Sequence, residues 1–393
     1  MKIHFLYTGS KGFPIGDAYT NRILSLAKGF INIGCKIKIL IIYPGRNIGV
    51  NEKEGLFDNI PYKYMTPFKL PKNNIQRKLW GIIGILATIR FFLSKKIDSD
   101  VIICFSESYF QNRLISLVTY IKNIFFIREI NEYPKAVLKK GLDGLNNYDI
   151  FLIKETNACS NALLSISTGI KEFLNQYLKD LPILVVPIVV DLERFNNLSK
   201  YSRISNYITY CGDLFGEKDG IEILIQAFAQ ISDNYPEIQL LLIGSTDNNK
   251  DYDSLRNKLR NLKIDNRVVF TGYIPRIKIP QLLIKSKVLV LARPDNVQAK
   301  GGFPTKLGEY LATGKPVLVT SVGDIPIYIK DKKNGFLAEP GSVKSFAAKL
   351  QEILMDYSKA EKIGIQGKKL AEEIFNPVVQ SKEIVEFINH LKQ

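Results

Sequence analysis

Short apolar runs rich in β-branched residues recur along the chain, and each is followed by a longer stretch with helical periodicity. In the first half these runs are 2–7, 36–43, 101–105, 124–127, 163–167 and 183–187. In the second half they are 208–211, 239–243, 267–270, 288–292 and 317–320. Such runs are typical of buried strands, and their alternation with helices predicts parallel sheets with right-handed crossovers. The fold class is therefore predicted to be α/β, with two doubly wound, Rossmann-like domains.

Segment 191–206 separates the two sets of strands; it is polar and has no apolar period. We therefore predict a first domain over 1–190, a linker over 191–206 and a second domain over 207–376. A last helix is predicted over 377–393, because Phe375-Asn376-Pro377 interrupts the helical pattern before it.

Segment 301–316 carries the pattern that indicates chemistry most clearly, and it lies between the predicted strands 288–292 and 317–320. Pro304 before a helical stretch, with Gly314 and Pro316 after it, predicts a helix over 305–313. A glycine-rich loop then leads directly into a helix N-terminus, whose unpaired N–H groups suit a phosphate.

Two side chains on this helix extend the interpretation. Lys306 adds a cation beside the phosphate, and Glu309, one turn later, is suited to accept hydrogen bonds from the hydroxyls of a sugar. Together they predict a pocket for a sugar nucleotide. The alternative is an ordinary strand–loop–helix turn with a solvated glutamate.

The same segment resembles the C-terminal signature of retaining family 4 glycosyltransferases, which is Glu, any seven residues, Glu, with Gly-Phe-Pro after the first Glu. Gly302-Phe303-Pro304 and Glu309 match, and Pro304-Thr305-Lys306 is similar to a sub-group of that family. Gly301 stands where the first Glu is expected. Segments 13–24, 187–195 and 218–228 resemble other parts of the family in the same order. The resemblance implies a GT-B fold, with two Rossmann-like domains facing a central cleft and the last helix crossing back onto the first domain.

The resemblance also implies roles for single residues. Lys218 and Lys306 would hold the diphosphate and stabilise the charge that it gains as it leaves, which makes them the candidate catalytic cations. Glu309 would bind the ribose, and Arg276 would stack on the base. Asp213 stands where the family commonly has an Arg. The candidate donor-binding residues are Gly16, Arg128, Lys218, Arg276, Gly302, Phe303, Pro304, Thr305, Lys306 and Glu309.

Arg128 and Glu129 follow the predicted strand that ends at Ile127. Many members of the family have a His there that touches the donor sugar, and this chain has none at that place. Glu129 is therefore added to the candidate catalytic residues, and Arg128 to the donor-binding ones. The alternative is an ion pair at a strand end.

The net charge of +16 favours phosphorylated substrates and an anionic membrane surface, since no nucleic-acid-binding signature accompanies it. The four cysteines lack any metal-ligand spacing, and His4 and His390 are the only histidines. We therefore expect no metal site. We also expect no cofactor, since the nucleotide-sugar is a substrate. A strand is predicted from the first residues onward, which leaves no room for a signal peptide, so a cytoplasmic location is expected.

Segment 80–93 is apolar and begins at Trp80, with basic residues on both sides: Lys72, Arg77 and Lys78 before it, and Lys95 and Lys96 after it. It is too short to span a bilayer, and Arg90 interrupts it. Its composition suits a helix lying in the lipid interface. A helix in the core of the first domain is the alternative.

These observations predict a cytoplasmic, retaining, metal-independent glycosyltransferase, peripheral on the inner face of the membrane. It would move a sugar from a UDP- or GDP-sugar to a carbohydrate or lipid-linked acceptor, in surface polysaccharide biosynthesis. A GT-B sugar-nucleotide epimerase, or a non-catalytic sugar- or lipid-binding subunit of an assembly complex, is the alternative.

Overall fold

The computed structural model describes residues 1–9, 12–45, 49–66, 73–94, 98–196, 198, 205–216, 218–247 and 249–393. Lys72, Lys95 and Lys96, as well as residues 197 and 199–204 of the predicted linker, lie outside the described residues. The chain divides into two compact units, the first comprising Met1–Val189 with Pro377–Gln393, and the second Val190–Asn376.

The first unit is built on a sheet with strand order β3-β4-β2-β1-β5-β6-β7-β8. Its strands are β1 (Lys2–Tyr7), β2 (Lys36–Ile41), β3 (Glu54–Phe57), β4 (Ile60–Tyr64), β5 (Val101–Phe105), β6 (Phe125–Ile130), β7 (Ala162–Ser165) and β8 (Ile183–Val185). Its helices are α1 (Ala18–Asn32), α2 (Asn74–Leu93), α3 (Tyr109–Lys122), α4 (Lys135–Lys140), α5 (Asn147–Asn157), α6 (Thr168–Asn175) and, from the end of the chain, α15 (Pro377–Lys392). Only β3 runs antiparallel to its neighbour in this sheet.

The second unit has a parallel sheet with strand order β11-β10-β9-β12-β13-β14. Its strands are β9 (Tyr207–Cys211), β10 (Gln239–Ile243), β11 (Val268–Phe270), β12 (Val288–Leu291), β13 (Val317–Thr320) and β14 (Phe336–Ala338). Its helices are α7 (Ile221–Ser232), α8 (Asn249–Asn261), α9 (Ile279–Lys285), α10 (Val297–Gly301), α11 (Thr305–Ala312), α12 (Ile325–Tyr328), α13 (Val343–Met355) and α14 (Tyr357–Glu373). Short 3-10 helices cover Leu192–Phe195, Asp265–Arg267 and Arg276–Lys278.

The predicted α/β class, with two doubly wound parallel sheets, is confirmed. Three strands were not predicted. Strands β3 and β4 form a hairpin whose turn residues, Asp58 and Asn59, both have positive φ. Their positions alternate between exposed and half-buried in β3 and between buried and half-buried in β4, unlike the continuous apolar runs that identified the parallel strands. The third missed strand, β14, has only three residues at the edge of its sheet.

Two hydrophobic clusters cover the two faces of the first sheet. Because successive side chains of a strand point to opposite faces, Phe5 of β1 packs with α1 and α15, whereas Leu6 packs with α2 and α3. Helix α15 packs against α1, where Ser381 donates a hydrogen bond to the carbonyl oxygen of Leu26 at 3.5 Å. The last residues of the chain therefore contribute to the core of the first unit.

Helix α2 packs on the sheet by a narrow face, and its fully buried residues are Gly84, Thr88 and Phe92. The opposite side leaves large apolar side chains in solvent: Ile75, Leu79, Ile82, Ile83, Leu86 and Leu93 are between 40% and 74% exposed. Helix α2 thus covers the core with one face, as the alternative of a core helix expects, and leaves its other face exposed. Phe92, however, points into the core and is not available to a lipid surface. No helix in the described residues has the length and hydropathy needed to cross a membrane.

Candidate functional site

Helix α11 carries the predicted phosphate and ribose ligands of the second unit. Pro304 occupies its N-cap, where a residue without an N–H fits, and Gly314 follows its end with φ of +72°. The side chain of Tyr310 anchors the helix to the end of β9, because its hydroxyl accepts a hydrogen bond from the Cys211 N–H at 2.8 Å. Lys306 and Glu309 therefore lie at the carboxyl end of β9, and both are partly exposed.

The loop before α11 is shorter than predicted. The short helix α10 follows β12, because the side chain of Asn296 caps it by accepting a hydrogen bond from the Ala299 N–H. Only Gly302, Phe303 and Pro304 then connect α10 to α11, so the expectation of a glycine-rich loop running directly from strand to helix is wrong.

Phe303, predicted to bind the donor, lies in the core of the second unit. Its ring stacks on Tyr328 at 5.2 Å between centroids and meets Phe375 edge-on at 5.7 Å. Gly302 and Pro304 are buried as well. Any contact that Phe303 makes with a donor is therefore through its backbone.

Lys306 is held by two partners rather than standing free. Its ammonium donates a hydrogen bond to Asp219 Oδ2 at 2.5 Å and to the Tyr210 hydroxyl at 3.0 Å. It also lies 4.6 Å from the centre of the Tyr210 ring. Burial raises the pKa of Asp219, but Lys306, Tyr210 and Arg293 outweigh that effect and hold this pKa below its ordinary value. Asp219 is thus an ionised counter-ion that fixes the position of the Lys306 ammonium.

Arg293 is a functional candidate that sequence reasoning missed. It follows β12 and is fully buried, and its Nη1 donates to the carbonyl oxygen of Gly302 at 2.9 Å. Its Nε donates to the carbonyl oxygen of Lys218 at 3.5 Å. One guanidinium therefore links the two loops that carry the predicted diphosphate ligands. A lone charged residue directly after the apolar run 288–292 was the available signal.

Two glycines allow this close assembly. Gly220, at the start of α7, has φ of +69°, and a Cβ there would overlap the carbonyl oxygen of Ala292. A Cβ on Gly212 would overlap the ammonium of Lys306. Larger side chains at either position would displace the Lys218–Gly220 turn or Lys306.

Glu309, the predicted ribose ligand, forms an ion pair with Arg194. Arg194 Nη1 donates to Glu309 Oε1, and Nη2 donates to the carbonyl oxygen of Arg276 at 2.8 Å. Arg276, predicted to stack on a base, is half-buried at the start of the Arg276–Lys278 turn. Arg194 was not predicted as a site residue, although it lies in segment 187–195, which resembles the family.

The thiol of Cys211, at the end of β9, shows how closely these charges cluster. Its pKa is raised to about 12, mainly by burial and secondly by the charge of Glu309, while the charges of Lys306 and Arg194 lower it. The charges of Glu309, Lys306 and Arg194 therefore all act on one thiol at the end of β9.

A cleft of about 660 Å³ opens at the carboxyl ends of β9 and β10 and is lined by Gly212, Asp213, Phe215, Ser245 and Asp247. Asp213, which stands where a cation is common in the family, accepts a hydrogen bond from the Phe215 N–H at 3.1 Å. Asp247 Oδ2 accepts one from the Ser245 hydroxyl at 2.7 Å. Lys218 directly precedes Asp219, and its side chain is half-buried.

The remaining predicted residues belong to the first unit. Gly16 lies in the loop between β1 and α1, and Arg128 and Glu129 lie in β6. Glu129 Oε1 accepts a hydrogen bond from Arg22 Nε at 2.5 Å, and Arg22 also donates to the carbonyl oxygens of Val186 and Pro187. Burial raises the pKa of Glu129, and Arg22 counteracts that effect.

Arg128 is buried among other partners, since it donates hydrogen bonds to Asn157 and to the carbonyl oxygens of Ser106 and Thr156. Arg128 and Glu129 therefore each have their own partners, and the ion pair left open as an alternative is formed by Glu129 with Arg22 instead. Within the described residues, no group of three or more His, Cys, Asp or Glu side chains is arranged to hold a metal ion.

Comparison with known proteins agrees with this geometry. Residues 197–370 match the sequence profile of the family Glycosyl transferases group 1. This segment of the chain, somewhat less than half of its length, is therefore similar to the glycosyltransferase group 1 domain. It includes Lys218, Arg276, Arg293, Lys306 and Glu309, and so all the charged groups described above for the second unit except Arg194.

Among curated relatives, the N-acetyl-alpha-D-glucosaminyl L-malate synthase of Bacillus anthracis is 28% identical over 155 residues, which cover 39% of this chain and 38% of that protein. The capsular polysaccharide biosynthesis glycosyltransferase CapM of Staphylococcus aureus is 26% identical over 200 residues, or 48% of each chain. The chain thus aligns with less than half the length of these relatives.

Solved structures agree over the whole chain. HepE of Anabaena, crystallised in complex with UDP, has a TM-score of 0.73 and 18% identity, and the match covers 99% of this chain and 100% of that one. HepE has also been crystallised with UDP-glucose. At this identity the likeness concerns the fold, which is that of the GT-B glycosyltransferases.

Proposed function

We propose that the protein is a retaining glycosyltransferase that transfers a sugar from a nucleotide-sugar donor to a carbohydrate or lipid-linked acceptor. One observation carries the proposal: α11 of a glycosyltransferase group 1 domain holds Lys306 and Glu309 one turn apart at the carboxyl end of β9. In doubly wound folds, ligands bind at the carboxyl ends of the strands. A cation there suits a diphosphate, and a carboxylate suits vicinal hydroxyls. The UDP and UDP-glucose complexes of HepE support a nucleotide-sugar donor.

The charges around Asp219 suit the chemistry of the leaving group. Lys306 forms an ion pair with Asp219, and the charge of Arg293 also helps to lower the pKa of this carboxyl. Breaking the bond between sugar and diphosphate moves negative charge onto the diphosphate. Cations fixed beforehand by Asp219, Tyr210 and backbone carbonyls stabilise that charge without rearranging. Lys218 adds a further cation, and the same stabilisation is then supplied without a metal ion.

A retaining outcome and a role in surface polysaccharide assembly belong to the proposal as well. They rest on the family 4 signature around Gly302–Glu309 and on the similarity to CapM. We assign no protein nucleophile.

The first unit supports a peripheral position on a membrane. Ile75, Leu79, Ile82 and Leu86 follow one another at helical spacing, so they form one exposed stripe on α2. Helix α3 packs against α2 and exposes Phe110, Leu117, Tyr120 and Ile121. We call these eight side chains the α2–α3 apolar surface. Exposed Arg77, Lys78 and Arg90 on α2 add the charge that favours an anionic leaflet.

A panel of UDP-, GDP- and ADP-sugars tests the proposal. We expect one donor class to raise the thermal midpoint of the protein, because a ligand that binds only the folded state stabilises it. The bound donor is then expected to be consumed only when an acceptor sugar is present. Turnover without an acceptor would favour an epimerase, and binding without turnover would favour a non-catalytic subunit. If no donor binds, the proposal fails.

A further inference from the structure

We propose that Arg194 is a positioning residue for recognition of the donor's ribose. It would act by holding the Glu309 carboxylate and the loop at Arg276 in one fixed relation. This inference rests on the proposed function, since it takes Glu309 as the group that accepts the ribose hydroxyls.

The geometry places Arg194 between two elements that are distant in sequence. One guanidinium nitrogen donates to Glu309 on α11, and the other donates to the carbonyl oxygen of Arg276 after β11. A guanidinium is planar, so these two donors have a fixed separation and direction. The hydrogen bond to the Arg276 carbonyl oxygen therefore orients the nitrogen that donates to Glu309. The position of the Glu309 carboxylate is thereby fixed relative to the loop at Arg276.

The ion pair between Arg194 and Glu309 is partly shielded from solvent. The Arg194 side chain is 15% exposed and that of Glu309 is 23% exposed. A charge pair this far from bulk solvent is screened less than a surface pair. The ion pair engages Oε1 of Glu309, and part of this side chain remains exposed.

A second ion pair explains why Glu309 needs a partner of its own. Lys306 and Glu309 are three residues apart on α11, a spacing at which opposite charges attract each other. Lys306 is instead bound to Asp219, and Glu309 is bound to Arg194. The two pairs keep the cation and the carboxylate apart, so that Lys306 remains directed to the phosphate and Glu309 to the ribose.

The preference for ribose over 2′-deoxyribose measures this function directly. UDP, GDP and ADP are first titrated into the wild-type protein by calorimetry, and the tightest of them is then compared with its 2′-deoxy form. Loss of a hydrogen bond to a carboxylate predicts that the wild type binds the ribonucleotide about tenfold or more tightly. The variants are Arg194→Gln, Arg194→Lys and Glu309→Gln. Arg260→Gln, at an exposed arginine on α8, is the matched control.

We expect Arg194→Gln to reduce the ribose preference to within about threefold of unity, because Glu309 is no longer oriented. Arg194→Lys keeps the charge but has no planar fork, and an intermediate preference is expected. It also provides the test if Arg194→Gln does not fold. Arg260→Gln should keep the wild-type preference. A merely structural role for Arg194 would lower the affinity for both nucleotides equally and leave their ratio unchanged.

A double-mutant cycle shows whether Arg194 acts through Glu309. In the Glu309→Gln background, Arg194→Gln should have no further effect on the ribose preference. An unchanged preference in Arg194→Gln, or independent effects in the double variant, would overturn the inference. An increased preference would also overturn it, since Arg194 would then compete with the ribose. Nucleotide binding without any ribose preference in the wild type would overturn it while leaving the proposed function intact. Absence of all nucleotide binding would overturn both.

Discussion

At the scale of single residues, Glu309 is the most specific target. Glu309→Gln should weaken donor binding by about 1.5–3 kcal/mol, because a neutral amide replaces a charged acceptor for the ribose hydroxyls. Calorimetry with the donor found in the nucleotide-sugar panel measures this loss. The matched control is Glu339→Gln, at an exposed glutamate of the same unit, and it should bind the donor as the wild type does. Unchanged affinity in Glu309→Gln would show that another group recognises the ribose.

Replacement of Lys218 and of Lys306 should affect catalysis alike but thermal stability differently. Lys218→Ala and Lys306→Ala should both lower kcat more than donor affinity, because their partner gains negative charge in the transition state. Lys306→Ala should in addition destabilise the fold by about 3–5 kcal/mol, because it leaves the buried carboxylate of Asp219 without its ammonium partner. Thermal unfolding and steady-state kinetics separate the two effects.

The double variant Lys306→Met with Asp219→Asn is the control for this difference. It removes both charges and should recover much of the lost stability while remaining impaired in kcat. If both single lysine variants unfold at the same temperature, the Lys306–Asp219 pair contributes little to stability. If donor affinity and kcat fall equally, the two lysines act only in ground-state binding.

At the scale of elements, the α2–α3 apolar surface predicts binding to vesicles. The protein should sediment with anionic vesicles at low salt and only weakly with neutral ones, since each basic residue near the surface contributes about 1 kcal/mol. Replacing Arg77, Lys78, Lys95 and Lys96 with Gln should release it without impairing transfer to a short soluble acceptor. High salt should weaken the interaction, because the Debye length falls to roughly 3 Å at 1 M.

The matched control for the vesicle experiment has four exposed lysines of the second unit replaced with Gln: Lys333, Lys344, Lys362 and Lys369. It has the same net charge as the test variant and should still sediment with anionic vesicles. Equal release of both variants would indicate a general charge effect. No binding of the wild type at low salt would end the membrane proposal.

Two glycines at helix positions should respond to alanine in opposite directions. In Gly220→Ala the alanine would have to adopt a positive φ, and its methyl group would overlap the carbonyl oxygen of Ala292. This substitution should therefore lower the thermal midpoint and displace the neighbouring Asp219. Gly81→Ala lies within α2 with no neighbouring atom near its new methyl group, and it should stabilise the protein by up to about 1 kcal/mol. Calorimetric scans of both variants check this, and a neutral Gly220→Ala would contradict the close approach.

At the scale of the whole molecule, activity should persist in excess EDTA. The proposed catalytic charges come from Lys218, Lys306 and Arg293, so a chelator removes nothing that they supply. Donor consumption is measured with and without EDTA, and then with added Mg²⁺ or Mn²⁺. Loss of activity in EDTA that a divalent ion restores would contradict the metal-independent proposal.

The sequence by itself determined the features that depend on neighbouring residues. Continuous apolar runs identified the parallel strands, because a strand covered on both faces needs no polar alternation. Pro304 and Gly314 set the limits of α11, and the three-residue spacing of Lys306 and Glu309 follows from the helix period. Hairpin β3–β4 escaped detection because its turn uses Asp58 and Asn59 in place of glycine.

Only the tertiary structure decided which charges meet. Arg194 and Glu309 are 115 residues apart, and Lys306 and Asp219 are 87 residues apart. Nothing in the local sequence of either residue specifies its partner, because such contacts arise when crossovers bring the carboxyl ends of different strands to one edge of a sheet. For the same reason the sequence indicated Lys306 as a cation for the phosphate but gave no sign of Asp219, which folding places beside it.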